Sequence, residues 1–432
     1  MKAWCHGNMD AYTQSAKVTS AKGVHVQIDK STFIDCVAGI LGVTQIGYGN
    51  IVLVKEMSRS AQNLSFFPLV DGFYTDPSIL LAEKLNELTP FIHGNSYSYF
   101  LNSGSEAIDT AMKMAVQFHR NIGHPTKRRF LYVEGSYHGS TIGATSICGI
   151  TAMEEVYRGL LPDNIKISKP SILESDLSNA ELDQWFQNLL DIIHLEGSHN
   201  IAALIIDAIT VSGGVNILNI YFWSKLQDIC KEYDILLIID EVFTGFGRTG
   251  RWFASEIWNI SPDILVLSKG ISSGYFPISA TVATERIRAA FGQGNEKKFI
   301  HGGTYSGHPV GCAVALKNIQ LLTDLNVVEK GKQIEQYFLE LKKRLSKVFF
   351  LQNITVVGAM ISMEIICPNY DMINKLSTKL KHLFWKERLL VRIVNNIIYI
   401  HPALIIQEKD IVEVINRFLF CISQINGDEY VT

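Results

Sequence analysis

An aspartate and a lysine directly follow two apolar runs of this sequence, where their side chains could act together. Residues 235–239 are apolar without interruption, as is typical of a strand buried on both faces of a parallel sheet, and the run ends in Asp240. Residues 264–267 repeat the pattern, and Lys269 follows them. Open α/β sheets bind ligands at the carboxyl ends of their strands. We therefore expect the acid and the amine at one ligand site.

This pair has an ordinary interpretation and a chemical one. The ordinary interpretation is a surface ion pair, because charges at strand ends are common. The chemical interpretation is a pyridoxal phosphate site, in which Lys269 holds the cofactor as a Schiff base and Asp240 keeps the pyridine nitrogen protonated. The pair alone favours the ion pair, so the second hypothesis needs phosphate and ring contacts elsewhere in the chain.

Two stretches rich in glycine and hydroxyl groups are candidates for phosphate contacts. A predicted strand at 97–101 leads into a strong helix former, and the N–H groups of Gly104 and Ser105 at its start could bind an anion. A serine N-cap with Glu106 in a capping box explains the same residues equally well. The stretch around Thr304 also precedes an apolar helix and is the second candidate.

Two further strand ends carry side chains suited to a planar ligand. The predicted strand 130–133 is followed by Tyr137 and His138 beside glycines, and such aromatic rings could stack on a cofactor. Tyr137 could instead cap the core through its hydroxyl. The predicted strand 201–206 is followed by Asp207, which adds another carboxylate at the same edge.

Residues 245–250 match the pattern G-x-G-x-x-G, which suggests a dinucleotide-binding enzyme as a competing hypothesis. In that fold the glycines follow the strand at once and open a helix, and the next strand ends in an acid. Here Asp240 lies between the strand and the glycines, and the next strand is followed by Lys269. The context therefore argues against a nicotinamide or flavin site.

Composition limits the possible partners. The chain has 432 residues, of which 47% are apolar and 19% charged, and its formal charge is −3, so neither nucleic acid nor an anionic membrane is an expected partner. No run approaches the length of a membrane span, and the N-terminus lacks an apolar signal, so we expect a cytoplasmic protein. We predict no metal, and we expect reduced core thiols at Cys5, Cys36, Cys148, Cys230, Cys312, Cys367 and Cys421.

The remaining patterns predict two domains of an α/β protein. A β-hairpin is predicted within 22–42, and strands and helices then alternate as in a parallel sheet covered by helices. Beyond about residue 325 the pattern changes to a long amphipathic helix at 327–349, short strands and a further helix at 371–386. This change indicates a separate α+β domain.

Taken together, these motifs resemble the class III (ω-) pyridoxal-phosphate-dependent aminotransferases over about residues 20 to 420. The matching stretches are Ser103-Gly104-Ser105-Glu106-Ala107, Tyr137-His138-Gly139, Asp240-Glu241-Val242, Thr244 to Gly250, Ser268-Lys269-Gly270 and Thr304 to Pro309. The resemblance implies fold-type I, with a mostly parallel seven-stranded sheet in a large cofactor-binding domain (56–320). It also implies a C-terminal small domain (321–432), to which an N-terminal segment (1–55) contributes.

Carried onto this chain, the resemblance implies that Lys269 and Asp240 are catalytic. It implies cofactor contacts at Gly104, Ser105, Tyr137, His138, Asp240, Val242, Lys269 and Thr304. Tyr137 and Val242 would enclose the ring, while Thr304 would reach the phosphate of the neighbouring subunit, so a homodimer with shared active sites is expected. Pyridoxal 5'-phosphate would be the cofactor.

The resemblance also implies where the substrate binds. Arg392 lies where several of these enzymes keep a mobile arginine that grips a substrate carboxylate, and Asp207 lies beside the substrate. Asp207-Ala208 stands where most members have Glu-Pro, and His401-Pro402 stands where they have Pro-Pro. The region around Arg392 is similar to diaminopelargonate synthase, although that enzyme has an aromatic pair at the position of Ile40-Leu41.

The predicted reaction is ping-pong transamination between an amine or amino acid donor and a carbonyl acceptor. A decarboxylase, epimerase or aminomutase on the same scaffold stays open as an alternative, and the Ser212-Gly213-Gly214 turn is similar to one in dialkylglycine decarboxylase. A cofactor-sensing regulator is a further alternative. It would need a basic DNA-binding helix-turn-helix before residue 50, and the first fifty residues are nearly neutral.

Overall fold

The structure, a computed structural model, describes residues 16–90, 95–170, 179–292 and 297–425. Its strands are β1 (Val18–Lys22), β2 (His25–Ile28), β3 (Ser31–Asp35), β4 (Ser96–Leu101), β5 (Arg129–Val133), β6 (Ile165–Ile167), β7 (Ile201–Asp207), β8 (Leu236–Asp240), β9 (Ile264–Leu267), β10 (Ser279–Thr284), β11 (Leu351–Val357), β12 (Met360–Ile365), β13 (Leu389–Leu390), β14 (Arg392–Val394) and β15 (Ile397–Ile400). Cys5 lies outside the described residues.

The helices of the described residues surround these strands. They are α1 (Ile51–Asn63), α2 (Asp76–Leu88), α3 (Gly104–Asn121), α4 (Ile142–Thr145), α5 (Thr151–Tyr157), α6 (Asn179–Glu196), α7 (Ile220–Glu232), α8 (Glu285–Ala289), α9 (Pro309–Asp324), α10 (Val327–Leu345), α11 (Tyr370–Lys386) and α12 (Glu408–Ser423). Within the ranges described, no helix has the length and apolar content that crossing a bilayer requires.

A seven-stranded sheet forms the centre of the fold, in the order β4-β10-β9-β8-β7-β5-β6. The strands from β9 to β6 pair in parallel, whereas β10 is antiparallel to both of its neighbours. The predicted mostly parallel seven-stranded sheet is therefore confirmed. Parallel strands place their carboxyl ends at one edge, and that edge carries the predicted site.

Alternate residues of the central strands enter two separate apolar cores. Ile238 of β8 packs into a core with residues of α3, whereas Ile239 belongs to the larger core on the other face of the sheet. Both side chains are fully buried, and this explains why the run has no polar interruption. Helices cover both faces, as expected for an α/β sheet.

The C-terminal residues form a second, antiparallel sheet in the order β11-β12-β15-β14, against which α10 packs. Helices α11 and α12 contact β13, which belongs to a third sheet in the order β1-β2-β3-β13. The N-terminal hairpin joins this part of the chain, because Ile34 of β3 pairs in parallel with Leu389 of β13. This pairing is consistent with a contribution of residues 1–55 to the small domain. The division at residues 55/56 and 320/321 stays a prediction.

Some elements escaped the sequence patterns. These are β1, α1, α4, α5, β6, α6 and α12. The apolar residues of α12 do have helical spacing, so that helix could have been predicted. In α1 the reason is physical, since Ile51, Val52 and Val54 are exposed while Leu53 is buried, so the apolar residues do not form one stripe. The glycine-rich stretch 245–250 forms consecutive turns and opens no helix, which is not the geometry of a dinucleotide-binding turn.

Candidate active site

The sheet register brings the predicted acids and amine to one edge. Asp207 ends β7 and pairs with Asp240 at the end of β8, while Asp240 in turn pairs with Val266 of β9. Lys269 follows three residues after Val266, just beyond the end of β9. Three adjacent parallel strands thus present two carboxylates and one amine at their carboxyl ends.

Asp240 and His138 form a buried hydrogen-bonded pair. His138 Nδ1 lies 2.8 Å from Asp240 Oδ2, and Asp240 Oδ1 accepts a 2.9 Å bond from the backbone N–H of Val242. His138 is itself held in place, because its backbone N–H donates to Cys148 Sγ at 3.1 Å. His138 Nε2 is buried and has no partner among the described residues. The carboxylate is therefore oriented by two donors.

The carboxylates around His138 determine its charge state. Burial alone would lower the pKa of this imidazole, but the charge of Asp207 and the hydrogen bond and charge of Asp240 outweigh burial, so the pKa is raised. The pKa of Asp207 is raised in turn, first by burial and then by the charge of Asp240. Both His138 and Asp207 therefore bind a proton more tightly than they would in water.

These three groups also have the spacing of a metal site. Ligand atoms of His138, Asp207 and Asp240 lie within 4.8 Å of one another. The hydrogen bond between His138 and Asp240 gives both groups a role without a metal ion, since a proton already joins them. The arrangement matches the need of a protonated ring nitrogen for a nearby, fixed carboxylate.

Lys269 has a strained backbone and a free amine. Its φ is 41°, in a region that side chains rarely adopt and that occurs at functional sites. Within the described ranges no hydrogen bond reaches its Nζ, which lies 4.5 Å from the centroid of the Phe243 ring. Burial lowers the pKa of Lys269 to about 8, and Asp240 and Asp207 limit that decrease. More of this amine is therefore unprotonated near neutral pH than in an ordinary lysine.

The start of α3 forms the capping box that the sequence suggested, and the anion site there stays a prediction. Ser103 caps the helix, with Glu106 completing a capping box, so this ordinary interpretation is correct. The first backbone N–H groups of a helix lack internal acceptors, so those of Gly104 and Ser105 stay available for an anion. A side chain at position 104 would be tightly packed, because a Cβ there would lie 3.3 Å from Val242 Cγ1.

The aromatic stretch lies next to this helix start. The backbone N–H of Ser140 donates to Ser105 Oγ at 3.1 Å, and Tyr137 Oη lies 3.0 Å from Ser140 Oγ. Gly139 permits the contact, since a Cβ there would lie 2.4 Å from Ser105 Oγ. Tyr137 is half exposed, so its ring does not cap the core and is available to a ligand.

Two further predicted residues form no described hydrogen bond with this cluster. Thr304 is exposed, in a turn closed by a hydrogen bond from Ser306 N to Gly303 O, and no described contact joins it to the other site residues. Arg392 starts β14, and its Nη1 donates to the backbone oxygen of Ile40 at 3.0 Å. Arg392 is close enough for its charge to lower the pKa of Lys269.

Sequence reasoning missed several residues that shape the site. Phe243 lies against Lys269, Cys148 anchors His138, and the Ile40 carbonyl contacts Arg392. The third of these carries no side-chain signal, because the acceptor is a backbone atom. Phe243 could have been considered, since an aromatic ring three residues after a site carboxylate is a candidate neighbour of the ligand.

Comparisons with known proteins agree with this geometry. The aminotransferase class-III family matches residues 8–422. A putrescine–pyruvate aminotransferase of Pseudomonas aeruginosa is 32% identical over 417 residues, covering 94% of this chain and 90% of that protein. An adenosylmethionine-8-amino-7-oxononanoate aminotransferase of Anoxybacillus flavithermus is 36% identical over 295 residues, covering 67% and 64%. An omega transaminase from Pseudomonas jessenii, solved in complex with PMP, superposes with a TM-score of 0.91 at 28% identity, covering 98% of this chain and 96% of that chain.

The chain belongs to the class-III aminotransferases. It is therefore a transaminase of fold-type I, and pyridoxal 5'-phosphate is its cofactor. The predicted family, fold, reaction and cofactor are confirmed, including the similarity to the oxononanoate aminotransferase. The roles of the individual site residues stay predictions.

Proposed function

We propose that this transaminase acts on a primary amine or amino acid through Lys269 and Asp240, and that Arg392 selects substrates with a carboxylate. The observation that carries this proposal is the unbonded Lys269 amine beside the buried pair of Asp240 and His138. When bound, the cofactor supplies an aldehyde for amines and a ring that withdraws electrons. The two half-reactions of ping-pong transamination then use the same residues in opposite directions.

Lys269 is the group that moves the proton. Its lowered pKa, about 8, leaves Nζ able to accept a proton from the substrate carbon and to return it, as a general base and then a general acid. Asp240 would hold the proton on the pyridine nitrogen, and His138 fixes that carboxylate. Because the pair is buried, its electrostatic effect is stronger than it would be in water.

The other cofactor contacts follow from the position of α3. Gly104 and Ser105 would bind the phosphate with backbone N–H groups at the helix N-terminus. Val242, which lies against Gly104, and Tyr137, which is linked to Ser105 through Ser140, would enclose the ring from its two faces.

Arg392 supports a substrate that bears a carboxylate. In the described ranges Arg392 forms no ion pair, and its one described hydrogen bond goes to the neutral carbonyl of Ile40. A guanidinium with free donors near the reactive amine is suited to a bidentate pair with a carboxylate. Of the substrates in the names of the two relatives, pyruvate and oxononanoate are carboxylates, whereas putrescine is a diamine. Asp207 would lie on the substrate side of the ring.

The proposal includes a homodimer. Exposed apolar side chains cluster between residues 51 and 80, and a patch of this size is typical of a protein interface. They are Ile51, Val52, Val54, Leu64, Phe66, Phe67, Val70, Phe73, Tyr74, Ile79 and Leu80. The Thr304 turn lies beside this patch, because the ring of Phe66 is 5.7 Å from that of Tyr305. A second copy covering the patch would bring Thr304 towards the active site of that copy. This agrees with the lack of described contacts between Thr304 and the site residues of its own subunit.

Hybrid dimers test whether Thr304 acts across the interface. Coexpression of Lys269→Ala and Thr304→Ala subunits gives hybrids in which one site keeps both groups only if Thr304 serves the neighbouring subunit. We expect hybrid dimers, separated by different affinity tags, to show about half of the wild-type activity. Hybrids that are no more active than the parent variants would contradict the shared site.

A cytoplasmic location is part of the same proposal. The cysteines of the described residues are free, and most are buried, as is usual in a reducing compartment. Microscopy of a tagged full-length chain in its native cell would test the location.

A donor panel tests the proposed substrate class. We would follow the absorbance change of the bound cofactor while adding amino acids, ω-amino acids and plain amines, with pyruvate as the acceptor in the second half-reaction. Amino transfer without release of carbon dioxide is the expected outcome. Carbon dioxide release, or exchange of the α-proton without net amine transfer, would instead identify the decarboxylase or epimerase alternative.

A further inference from the structure

The loop after β3 contains an isoleucine in a conformation that isoleucine avoids. Three consecutive residues, Ala38, Gly39 and Ile40, have φ values of 43°, 76° and 66°. Glycine adopts such angles freely, but a β-branched residue there is an outlier. The ψ of Ile40 is −32°, which moves it towards the strained γ-turn region. Such strain persists only where the surroundings hold the backbone in place.

Both sides of the loop are held. The buried Asp35 carboxylate accepts hydrogen bonds from Gly39 N at 2.6 Å, Val37 N at 3.0 Å and Tyr48 Oη at 2.8 Å. On the far side, a Cβ on Gly42 would lie 2.6 Å from the Phe243 ring, so the loop lies directly against that ring. Phe243 in turn contacts Lys269 Nζ. The loop therefore has a fixed position relative to the reactive amine.

The strained residue directs its carbonyl group at Arg392. The distance from Arg392 Nη1 to Ile40 O is 3.0 Å. A guanidinium has five N–H donors, so a bond to one neutral oxygen leaves donors for a carboxylate. An arginine that is already ordered loses less side-chain entropy when the carboxylate arrives. The Ile40 carbonyl thus orders Arg392, and a substrate carboxylate can bind the remaining N–H donors without breaking the bond to the carbonyl.

We propose that Ile40 is a positioning residue, whose strained backbone carbonyl holds Arg392 ready for a substrate carboxylate and so sets the preference for carboxylated donors over plain amines. This inference rests on the proposed role of Arg392. It adds that the backbone conformation at residue 40, rather than the isoleucine side chain, controls the preference. The half-exposed side chain of Ile40 would affect both kinds of substrate alike.

Two substitutions separate the backbone from the side chain. Ile40→Gly removes the side chain but adopts the observed positive φ freely, whereas Ile40→Pro fixes φ at about −65° and so turns the carbonyl away from Arg392. Holoenzymes of both variants and of wild type would be assayed with 4-aminobutanoate and with butylamine, which differ in the carboxylate. We expect Ile40→Pro to raise KM for 4-aminobutanoate about 3–10-fold relative to Ile40→Gly, with little difference for butylamine, because the arginine must then be ordered on binding.

Two readouts do not depend on turnover. Titration calorimetry with butanoate, a carboxylate without an amine, should show a weakening of about 3–10-fold in Ile40→Pro relative to Ile40→Gly. The melting temperature of the cofactor-free protein should be higher for Ile40→Gly than for Ile40→Pro, because only glycine accommodates the positive φ. If Ile40→Pro folds poorly, Tyr48→Phe replaces it, since it removes the 2.8 Å hydrogen bond to Asp35, the carboxylate that holds the loop. Equal butanoate affinities in the glycine and proline variants would overturn the proposal.

An Arg392 background distinguishes failure of this inference from failure of the proposed function. In Arg392→Ala, we expect the preference for 4-aminobutanoate to fall and the change from Ile40→Gly to Ile40→Pro to have no further effect on it. If Arg392→Ala loses the preference but the proline variant keeps it, Ile40 has no positioning role and the arginine assignment stands. If Arg392→Ala keeps the preference, both assignments are wrong.

Discussion

Two buried lysines at opposite ends of the central sheet show how similar burial can serve different purposes. Lys127 lies at the amino ends of the strands, and its Nζ donates to the backbone oxygens of Ser198, Ile201, Tyr233 and Asp234 at 2.8 to 3.2 Å. Lys269 lies at the carboxyl ends, and no described hydrogen bond reaches its Nζ. Burial lowers the pKa of both amines.

The difference lies in the partners rather than in the depth of burial. The Lys127 ammonium has three N–H donors and four carbonyl acceptors within reach, so all of its donors are satisfied. These acceptors lie at the start of β7 or in the connections before β7 and β8, which Lys127 links to the start of β5. The amine of Lys269 is left to react, beside an aromatic ring and on a strained backbone. An unsatisfied buried amine indicates chemistry, whereas a satisfied one indicates stability.

Loss of the Lys269 amine should have the largest effect. We expect Lys269→Ala to lower kcat by at least about 10³-fold, because the residue both holds the cofactor and moves the proton. The melting temperature of the cofactor-free variant should not decrease, since a buried amine without hydrogen bonds is removed. Borohydride reduction of the wild-type holoenzyme followed by peptide mass analysis should locate the cofactor on Lys269. Normal turnover of Lys269→Ala would refute the assignment.

Lys127→Met should have the opposite effect to Lys269→Ala, lowering stability while leaving activity nearly unchanged. The substitution leaves four buried carbonyl oxygens without their donor, so we expect the free energy of unfolding to fall by about 3 kcal/mol, measured by urea denaturation. The activity per folded molecule should stay within about twofold of wild type, since the change is at the far end of the sheet. Lys166→Met is the control, because its ion pair with Glu154 is partly exposed and worth at most about 1 kcal/mol. A loss of activity without a loss of stability in Lys127→Met would overturn the comparison.

Asp240→Asn tests the electrostatic part of the active end. The amide keeps the shape of the side chain but removes the charge that holds a proton on the ring nitrogen, so we expect kcat to fall about 10²-fold. His138 should lose part of the stabilisation of its protonated form, because Asp240 raises the pKa of that imidazole. Titration of the His138 ring by NMR would show a pKa below that of wild type. An unchanged His138 pKa would contradict the coupling.

The sequence predicted the active end of the sheet better than the structural end. The runs before Asp240 and Lys269 have the apolar pattern of buried strands, and strand ends at a parallel edge must lie together, so both residues could be placed in advance. Lys127 could not, because its partners are backbone oxygens more than 70 residues away, which leave no side-chain pattern. The contact of Ile40 with Arg392 was missed for the same reason, since it spans 352 positions and uses a carbonyl.

The smallest expected effect is a pH dependence of stability that separates the two lysines. The unfolded chain keeps a proton on residue 269 up to about pH 10.5, whereas the folded, cofactor-free protein loses it at about pH 8. Between these values the unfolded state binds more protons, so the contribution of Lys269 to the free energy of unfolding rises with pH. Buried thiols act in the opposite direction, because the raised pKa of Cys148, about 11, keeps its proton in the folded state only.

The test therefore compares two proteins rather than two pH values. The melting temperature of cofactor-free wild type, relative to that of Lys269→Ala, should rise by about 1–2 °C between pH 8 and pH 10, because the variant lacks the titrating amine. Lys127→Met should retain the part of this rise that comes from Lys269. A difference between wild type and Lys269→Ala that stays constant over this range would mean that the Lys269 amine keeps its ordinary pKa. The contrast between the two ends of the sheet would then rest on hydrogen bonding alone.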